Sequence, residues 1–155
     1  MLPPFQIFIE QHGDAVLRFL LLSVGPDEAE DCWQETFMAA LRAYPRLERD
    51  TNLRAWALKI AQRKAIDAQR GRARRAQPSA LLPDVEERDW GGGPEPGLWA
   101  AVKGLPAKQR AAVAARYVAD LAYADVGAVV GCSEDAARQN VREGLKKLRK
   151  EFHHG

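Results

Sequence analysis

Between Arg54 and Arg75 the chain carries eight basic side chains (Arg54, Lys59, Arg63, Lys64, Arg70, Arg72, Arg74, Arg75) against one acid, Asp67. This concentration of positive charge sits in a chain whose net charge is only +2. Wound as a helix at about 100° per residue, the stretch gathers Lys59, Arg63, Arg70 and Arg74 within about 60° of one another, with Trp56 at the edge of the stripe. Ala57, Ala61, Ala65 and Ala68 fall on the opposite half, where their small side chains let another helix pack closely. A basic stripe beside an aromatic ring suits a phosphate backbone and an unstacked base. The competing reading is a solvated face with Trp56 in the core, which is how charge runs are commonly used.

A second constellation lies upstream. Asp27, Glu28, Glu30, Asp31 and Glu35 precede the first base of their segment, Arg42. Acids in a first helical turn complement the helix dipole, which accounts for some of them. It does not account for Asp31, Gln34 and Glu35 falling together beside the large apolar Trp33 and Phe37. A mixed acidic and aromatic surface can serve as a protein-docking patch. A metal site is the rival idea, and it is weakened because no histidine accompanies these carboxylates.

A third constellation occupies the C-terminal part, YADVGAVVGCSEDAARQNVREGLKKLRKEF. The pattern predicts a short helix from Tyr123 to Val130, a tight turn at Gly131-Cys132 and a longer helix with Ser133 as its N-cap. Gly131 falls where a positive φ is expected, and Gly127, four residues earlier, would let the two helices approach. On the long helix Ala137, Val141, Leu145, Leu148 and Phe152 share one face. The other side offers Ala136, Gln139, Asn140, Glu143, Lys146 and Lys147, flanked by Arg138 and Arg142. A short helix, a glycine turn and a longer helix with amides and bases outward is a helix-turn-helix pattern. Gln and Asn can pair with adenine, and Arg or Lys with guanine or phosphate. An ordinary helical hairpin with a solvated basic face is the alternative.

The elements that would position these groups are helical throughout. Phe5, Phe8, Ile9, Val16, Phe19 and Leu20 recur at helical spacing after two prolines suited to a helix start. Gly25-Pro26 closes that segment, and Asp27 is the expected N-cap of the next helix, about 27–43, which Pro45 ends. The polar connection RLERDT leads to Asn52 and the basic helix. From Gln77 to Glu95 periodicity is lost, and Gly91-Gly92-Gly93-Pro94-Glu95-Pro96 has the composition of a flexible linker; Trp90 and Trp99 flank this run. Pro106 starts a further helix expected to reach Ala119. No strand alternation longer than a few residues occurs. The expected fold is all-α, with small helical domains at 1–76 and 98–155 joined by a linker at 77–97.

Composition narrows the classes further. The chain is 46% hydrophobic and 28% charged, values typical of a soluble globular protein. No apolar run approaches the ~20 residues of a membrane span, and the N-terminus lacks the pattern of a secretory signal. Cys32 and Cys132 stand alone, without metal-ligand spacing, and the expectation is reduced thiols in the cytoplasm. His12, His153 and His154 lie at no triad or ligand spacing, and no glycine-rich phosphate loop occurs. Neither a catalytic group, a metal nor a cofactor is assigned.

Three segments carry a family resemblance. Ala29 to Phe37, AEDCWQETF, is similar to the AEDxxQExF element of bacterial extracytoplasmic-function (ECF) sigma factors. Leu53 to Asp67, LRAWALKIAQRKAID, is similar to their LRxWLxxIAxNxxxD element. Leu105 through Gln109-Arg110 and then Tyr123 to Leu148 resemble their C-terminal domain. The resemblance implies a dissociable transcription-initiation subunit with core RNA polymerase and promoter DNA as partners, an anti-sigma factor as a further candidate partner, and no membrane insertion. It implies that Asp31, Gln34, Glu35 and Phe37 dock on the polymerase clamp helices. It implies that Asn52, Trp56, Lys59, Arg63, Arg70 and Arg74 engage and open the −10 element. Ser133, Ala136, Arg138, Gln139, Asn140, Arg142, Lys146 and Lys147 would then serve the −35 element. Three departures stand out: Arg63 where the family often has Asn, Glu134-Asp135-Ala136-Ala137 for xGTV, and Glu143-Gly144 for a basic-Ala pair. The runner-up function is a stand-alone helix-turn-helix regulator. Such proteins usually dimerise on half-sites, and this reading would leave the acidic helix and the Trp56 helix unexplained.

Overall fold

The first helix, α1 (Phe5–Val24), starts where Pro4 sets an extended entry and its carbonyl accepts from Phe8 N at 3.1 Å. The expected apolar stripe faces inward, with Phe8, Val16, Phe19 and Leu20 fully buried. The computed structural model describes residues 2–74 and 101–153, the side chains of 72–74 and 151–153 excepted. The expected linker at 77–97, with Trp90, and Trp99 beyond it, lies outside the described residues, as does the side chain of Phe152.

Gly25, at φ 87°, ends α1 and caps the next helix, α2 (Pro26–Ala43). The cap is therefore not Asp27. A positive φ that glycine tolerates turns the chain sharply, and Pro26 then supplies a preset φ at the first helical position. Asp27 sits instead in the first turn with Glu28, where both complement the dipole. Pro45 breaks α2 into a single 3₁₀ turn (Tyr44–Arg46). The basic helix α3 (Leu53–Arg74) follows, started by Asn52, whose Oδ1 accepts from Ala55 N at 3.2 Å. Ala57, Ala61 and Ala65 are buried as their spacing implies, together with Leu58 and Gln62, while Ala68 is only partly covered. Helices α1, α2 and α3 pack on one another as a three-helix unit.

The second unit starts with residues 101–103, the end of a helical turn, and the buried Leu105. Helix α4 (Ala107–Val113) begins after Pro106 but does not continue as an α-helix to Ala119. It widens into a π-helical turn (Ala114–Val118), where Ala119 N reaches back to Ala114 O at 3.2 Å. The extra residue per turn keeps Ala114 and Ala115 buried and leaves Tyr117 exposed. Helices α5 (Tyr123–Val130) and α6 (Glu134–His153) complete the chain. The architecture is all-α, and no strand occurs among the described residues.

Between α5 and α6 the turn is made as the glycine pattern implies. Gly131 adopts φ 85°, ψ 38°, and Gly127 O accepts from both Gly131 N (2.7 Å) and Cys132 N (2.9 Å). A Cβ on Gly127 would stand 2.6 Å from Cys132 O, so only glycine allows this approach. Ser133 Oγ caps α6 by accepting from Ala136 N at 3.1 Å. Gly144, one of the departures from the family pattern, has a packing reason: a Cβ there would meet Val113 Cγ2 at 2.7 Å. Ala137, Val141 and Leu148 fill the core side of α6. The two units touch, α5 lying on α3 and the π-turn on α1.

Candidate nucleic-acid interface

Helix α2 brings Asp31, Gln34 and Glu35 together on an exposed face. Phe37 is not on that face. It is 6% exposed, with its ring 4.6 Å from Trp33 and 5.7 Å from Phe8, so it supports the patch from behind. Trp33 is anchored in turn, its Nε1 donating to Gly13 O at 2.9 Å. The apolar groups on the surface are Met38 and Leu41, each 56% exposed. They lie seven and ten residues beyond Asp31, on the same side of an α-helix, and extending the face by one more turn would have found them. Beneath it the Cys32 thiol is pushed up to about 11 by burial first, and then by the carboxylates of Glu28, Glu35, Asp31 and Asp67. That displacement registers a negative field over this side of the molecule, and it makes Cys32 an inert core thiol.

Helix α3 presents Lys59, Arg63 and Arg70 to solvent; the side chain of Arg74 lies outside the described residues. Lys59, Arg63 and Arg70 make no ion pair among the described residues, so their charge is available to an external anion. Trp56 is half-buried, its ring 5.7 Å from Phe8 and 6.3 Å from Tyr44. It belongs to an aromatic cluster with Phe5 and Phe37, and Tyr44 is fixed there by donating its hydroxyl proton to Pro3 O. Much of one ring face is therefore committed to the core. Arg54, counted among the basic residues in sequence, turns away from the stripe. Its Nε donates to His12 Nδ1 (3.3 Å), Nη2 to Gln11 O (3.4 Å) and Nη1 to Ala119 O (3.5 Å). Burial, and then the Arg54 charge, hold the His12 imidazole below its usual 6.5.

On α6 the outward residues are Gln139, Arg142 and Lys146, with Ala136, Asn140 and Glu143 half-buried beside them. Arg138 is engaged within the protein. It pairs with Glu134 at 2.9 Å and Asp135 at 3.5 Å, and its guanidinium lies 5.3 Å from the centroid of the Tyr123 ring. Arg116 takes the same ring at 4.4 Å while donating to Leu121 O at 2.9 Å. Tyr123 thus joins the start of α5 to the π-turn and to α6 through two cation–π contacts. Lys147 donates to Gln109 Oε1 at 3.1 Å, which ties α6 to α4. Ser133 is spent as a cap.

Among the described residues no three His, Cys, Asp or Glu side chains gather to hold a metal ion, and no helix is long and apolar enough to cross a membrane. Fold and surfaces together define a two-part, all-α protein, one part offering a cationic helix and the other a helix-turn-helix.

Comparison with known proteins makes the class specific. The family profile described as Sigma-70 region 2 matches residues 8–75, and that described as Sigma-70, region 4 matches residues 97–148. The ECF RNA polymerase sigma factor SigC of Mycobacterium tuberculosis is 30% identical over 92% of this chain and 80% of its own length. The ECF RNA polymerase sigma factor SigE of Mycolicibacterium smegmatis is 29% identical over 96% of this chain, which spans 61% of that protein. Among solved structures, the sigma factor RpoE of Bartonella quintana, in complex with the anti-sigma factor NepR, has the same fold. Its TM-score is 0.80 at 24% identity, over 96% of both chains. The chain belongs to the ECF family of RNA polymerase sigma factors.

Proposed function

We propose that this chain binds core RNA polymerase and directs it to promoters, contributing binding energy and no bond-making chemistry of its own. Residues 1–76 and 98–155 are its two working domains. The α2 face of Asp31, Gln34 and Glu35, extended by Met38 and Leu41, docks on the polymerase, with Phe37 holding that face in shape. The α3 stripe of Lys59, Arg63, Arg70 and Arg74 takes the phosphates of the −10 region, and Asn52 and Trp56 border it. Gln139 and Asn140 on α6 read base edges of the −35 element, while Arg142, Lys146 and Lys147 hold its backbone. The compartment is the cytoplasm, where polymerase and promoters are. The sigma factor of like fold was captured with an anti-sigma factor, and this chain is proposed to have such a partner as well.

One observation carries this reading above a stand-alone regulator. The same chain pairs a capped, glycine-closed helix-turn-helix with a separate unit whose basic stripe and acidic, apolar-studded face are both exposed. A regulator working through the helix-turn-helix alone has no use for the second unit. The test is Asp31→Lys combined with Glu35→Lys. Both residues are exposed, so the fold should survive, while charge reversal inside an interface costs several kcal/mol. Co-purification with core polymerase should be lost at an unchanged melting temperature. Undiminished co-purification would remove α2 as the docking face.

A further inference from the structure

Among the acids of α6 whose side chains are described, Glu134 and Asp135 are matched by Arg138, at 2.9 and 3.5 Å. Glu143 has no such match. It makes no ion pair among the described residues. Lys146 and Lys147 nevertheless follow it at the i+3 and i+4 spacing at which a helix pairs Glu with Lys. Lys147 turns its Nζ to Gln109 Oε1 instead, at 3.1 Å. The next residue, Gly144, faces inward onto Val113, and the core side of the helix is made by Ala137, Val141 and Leu148. Glu143, three residues beyond Asn140 and four beyond Gln139, therefore shares the outward stripe of those two amides. It is half-buried there while Gln139, Arg142 and Lys146 around it are exposed. A carboxylate set among bases on a face proposed to meet DNA repels every phosphate backbone, whatever the sequence.

We infer that Glu143 is a base-reading residue of α6 and that it selects cytosine in the −35 element. The inference rests on the proposed −35 role of this helix. A carboxylate accepts hydrogen bonds and cannot donate them. In the major groove guanine and thymine present acceptors at the edge a side chain meets, and both would repel it. At adenine one carboxylate oxygen takes an N6 proton while the other faces the N7 lone pair. Cytosine offers its N4 amino group with no acceptor beside it. Glu143 lies about 4.5–6 Å along the helix from Gln139 and Asn140, or roughly one to two base pairs away at about 3.4 Å each. The selected cytosine therefore neighbours the pairs that the two amides read. The discrimination works by exclusion: the acid lowers affinity for DNA at large, and a correctly placed amino group recovers it.

Core polymerase loaded with the full-length chain, and offered promoters randomised across the −35 element, tests this. Bound promoters should be enriched about tenfold or more in cytosine at one position, the scale of one base-edge contact. That position should adjoin those whose preference is lost in Gln139→Ala or Asn140→Ala. Glu143→Gln keeps the size of the side chain and adds a donor, so the preference should move to adenine; Glu143→Lys should move it to guanine. Both variants should bind mismatched promoters about threefold more tightly, because the repulsion of phosphate is gone. Both should melt as the wild type does, since Glu143 holds no charge partner among the described residues. Cytosine preference that survives both substitutions overturns the inference, as does a general gain in affinity with the base preference unchanged. A lowered melting temperature in Glu143→Gln also overturns it, by showing the carboxylate engaged within the fold. Ordered enrichment that ignores Glu143 removes this inference alone, whereas a wild-type complex that enriches no −35 sequence removes the proposed function and this inference with it.

Discussion

Helices α3 and α6 both face the proposed DNA, yet they carry charge in different ways. On α3 the bases Lys59, Arg63 and Arg70 stand exposed with no ion pair among the described residues, backed by buried alanines. On α6 Arg138 is paired with Glu134 and Asp135 and Lys147 is tied to Gln109, so that only part of its charge, Arg142 and Lys146 beside Gln139, stands exposed without an ion pair among the described residues. Unpaired like charges make a field that any phosphate backbone satisfies. Ordered charges interspersed with amides make a surface that responds to particular donors and acceptors. The first arrangement favours affinity without sequence preference, and the second favours discrimination. The same contrast appears beneath the surface. Helix α3 rests on an aromatic cluster through Trp56, whereas α6 is fixed by Gly127, which admits the backbone of Cys132 and Ser133, and by Gly144, which admits the Val113 side chain.

The largest expected effect breaks the support of α3. Trp56→Ala removes a ring packed on Phe8 and Tyr44, and should cost about 3 kcal/mol of stability. Urea unfolding followed by circular dichroism reads this directly. A variant as stable as the wild type that fails to open promoter DNA would instead place the ring on an unpaired base.

A smaller effect sharpens the contrast between the two helices. Gln139→Ala or Asn140→Ala should cost about 1–3 kcal/mol at particular base pairs and little elsewhere. Arg63→Ala with Arg70→Ala should weaken all promoters alike and lower the salt slope by about 2. Polymerase-bound affinity titrations at several salt concentrations, on matched and mismatched promoters, separate these outcomes. Equal sequence dependence in both sets of variants would erase the distinction.

The smallest effect concerns the contact that joins the units. The His12 imidazole is held below its usual 6.5 by burial and then by Arg54. The unfolded chain therefore takes up this proton first as pH falls. The stabilisation is complete above about 6.5 and is lost as pH drops through the lower folded value. Melting curves from about pH 7.5 down to pH 5 should fall further for the wild type than for His12→Gln. Parallel curves would show that the imidazole contributes nothing there.

Much of this molecule was legible in the order of residues. The apolar period of α1, the alanine face of α3, the bounds of α5 and the Gly127–Gly131–Ser133 turn are local consequences of spacing, backbone freedom and capping, and each stands where the sequence reading puts it. The class of protein was legible too, because three motifs in order carry it. Other features depended on what the chain folds against. Trp56 has the position on its helix that a surface group would have, and only the proximity of Phe8 and Tyr44 takes it inward. Asp27 lost the cap because Gly25 accepted a positive φ. The helix after Pro106 became a π-turn at Ala114, which keeps Ala114 and Ala115 buried and turns Tyr117 outward. Arg54 looked like one more DNA-facing cation, yet Gln11, His12 and Ala119, which are distant in sequence, supply its acceptors. Composition, periodicity and capping act within a few residues and are written in the chain. Which side of an amphipathic helix meets another element, and which donor finds a partner, is decided only when distant segments pack.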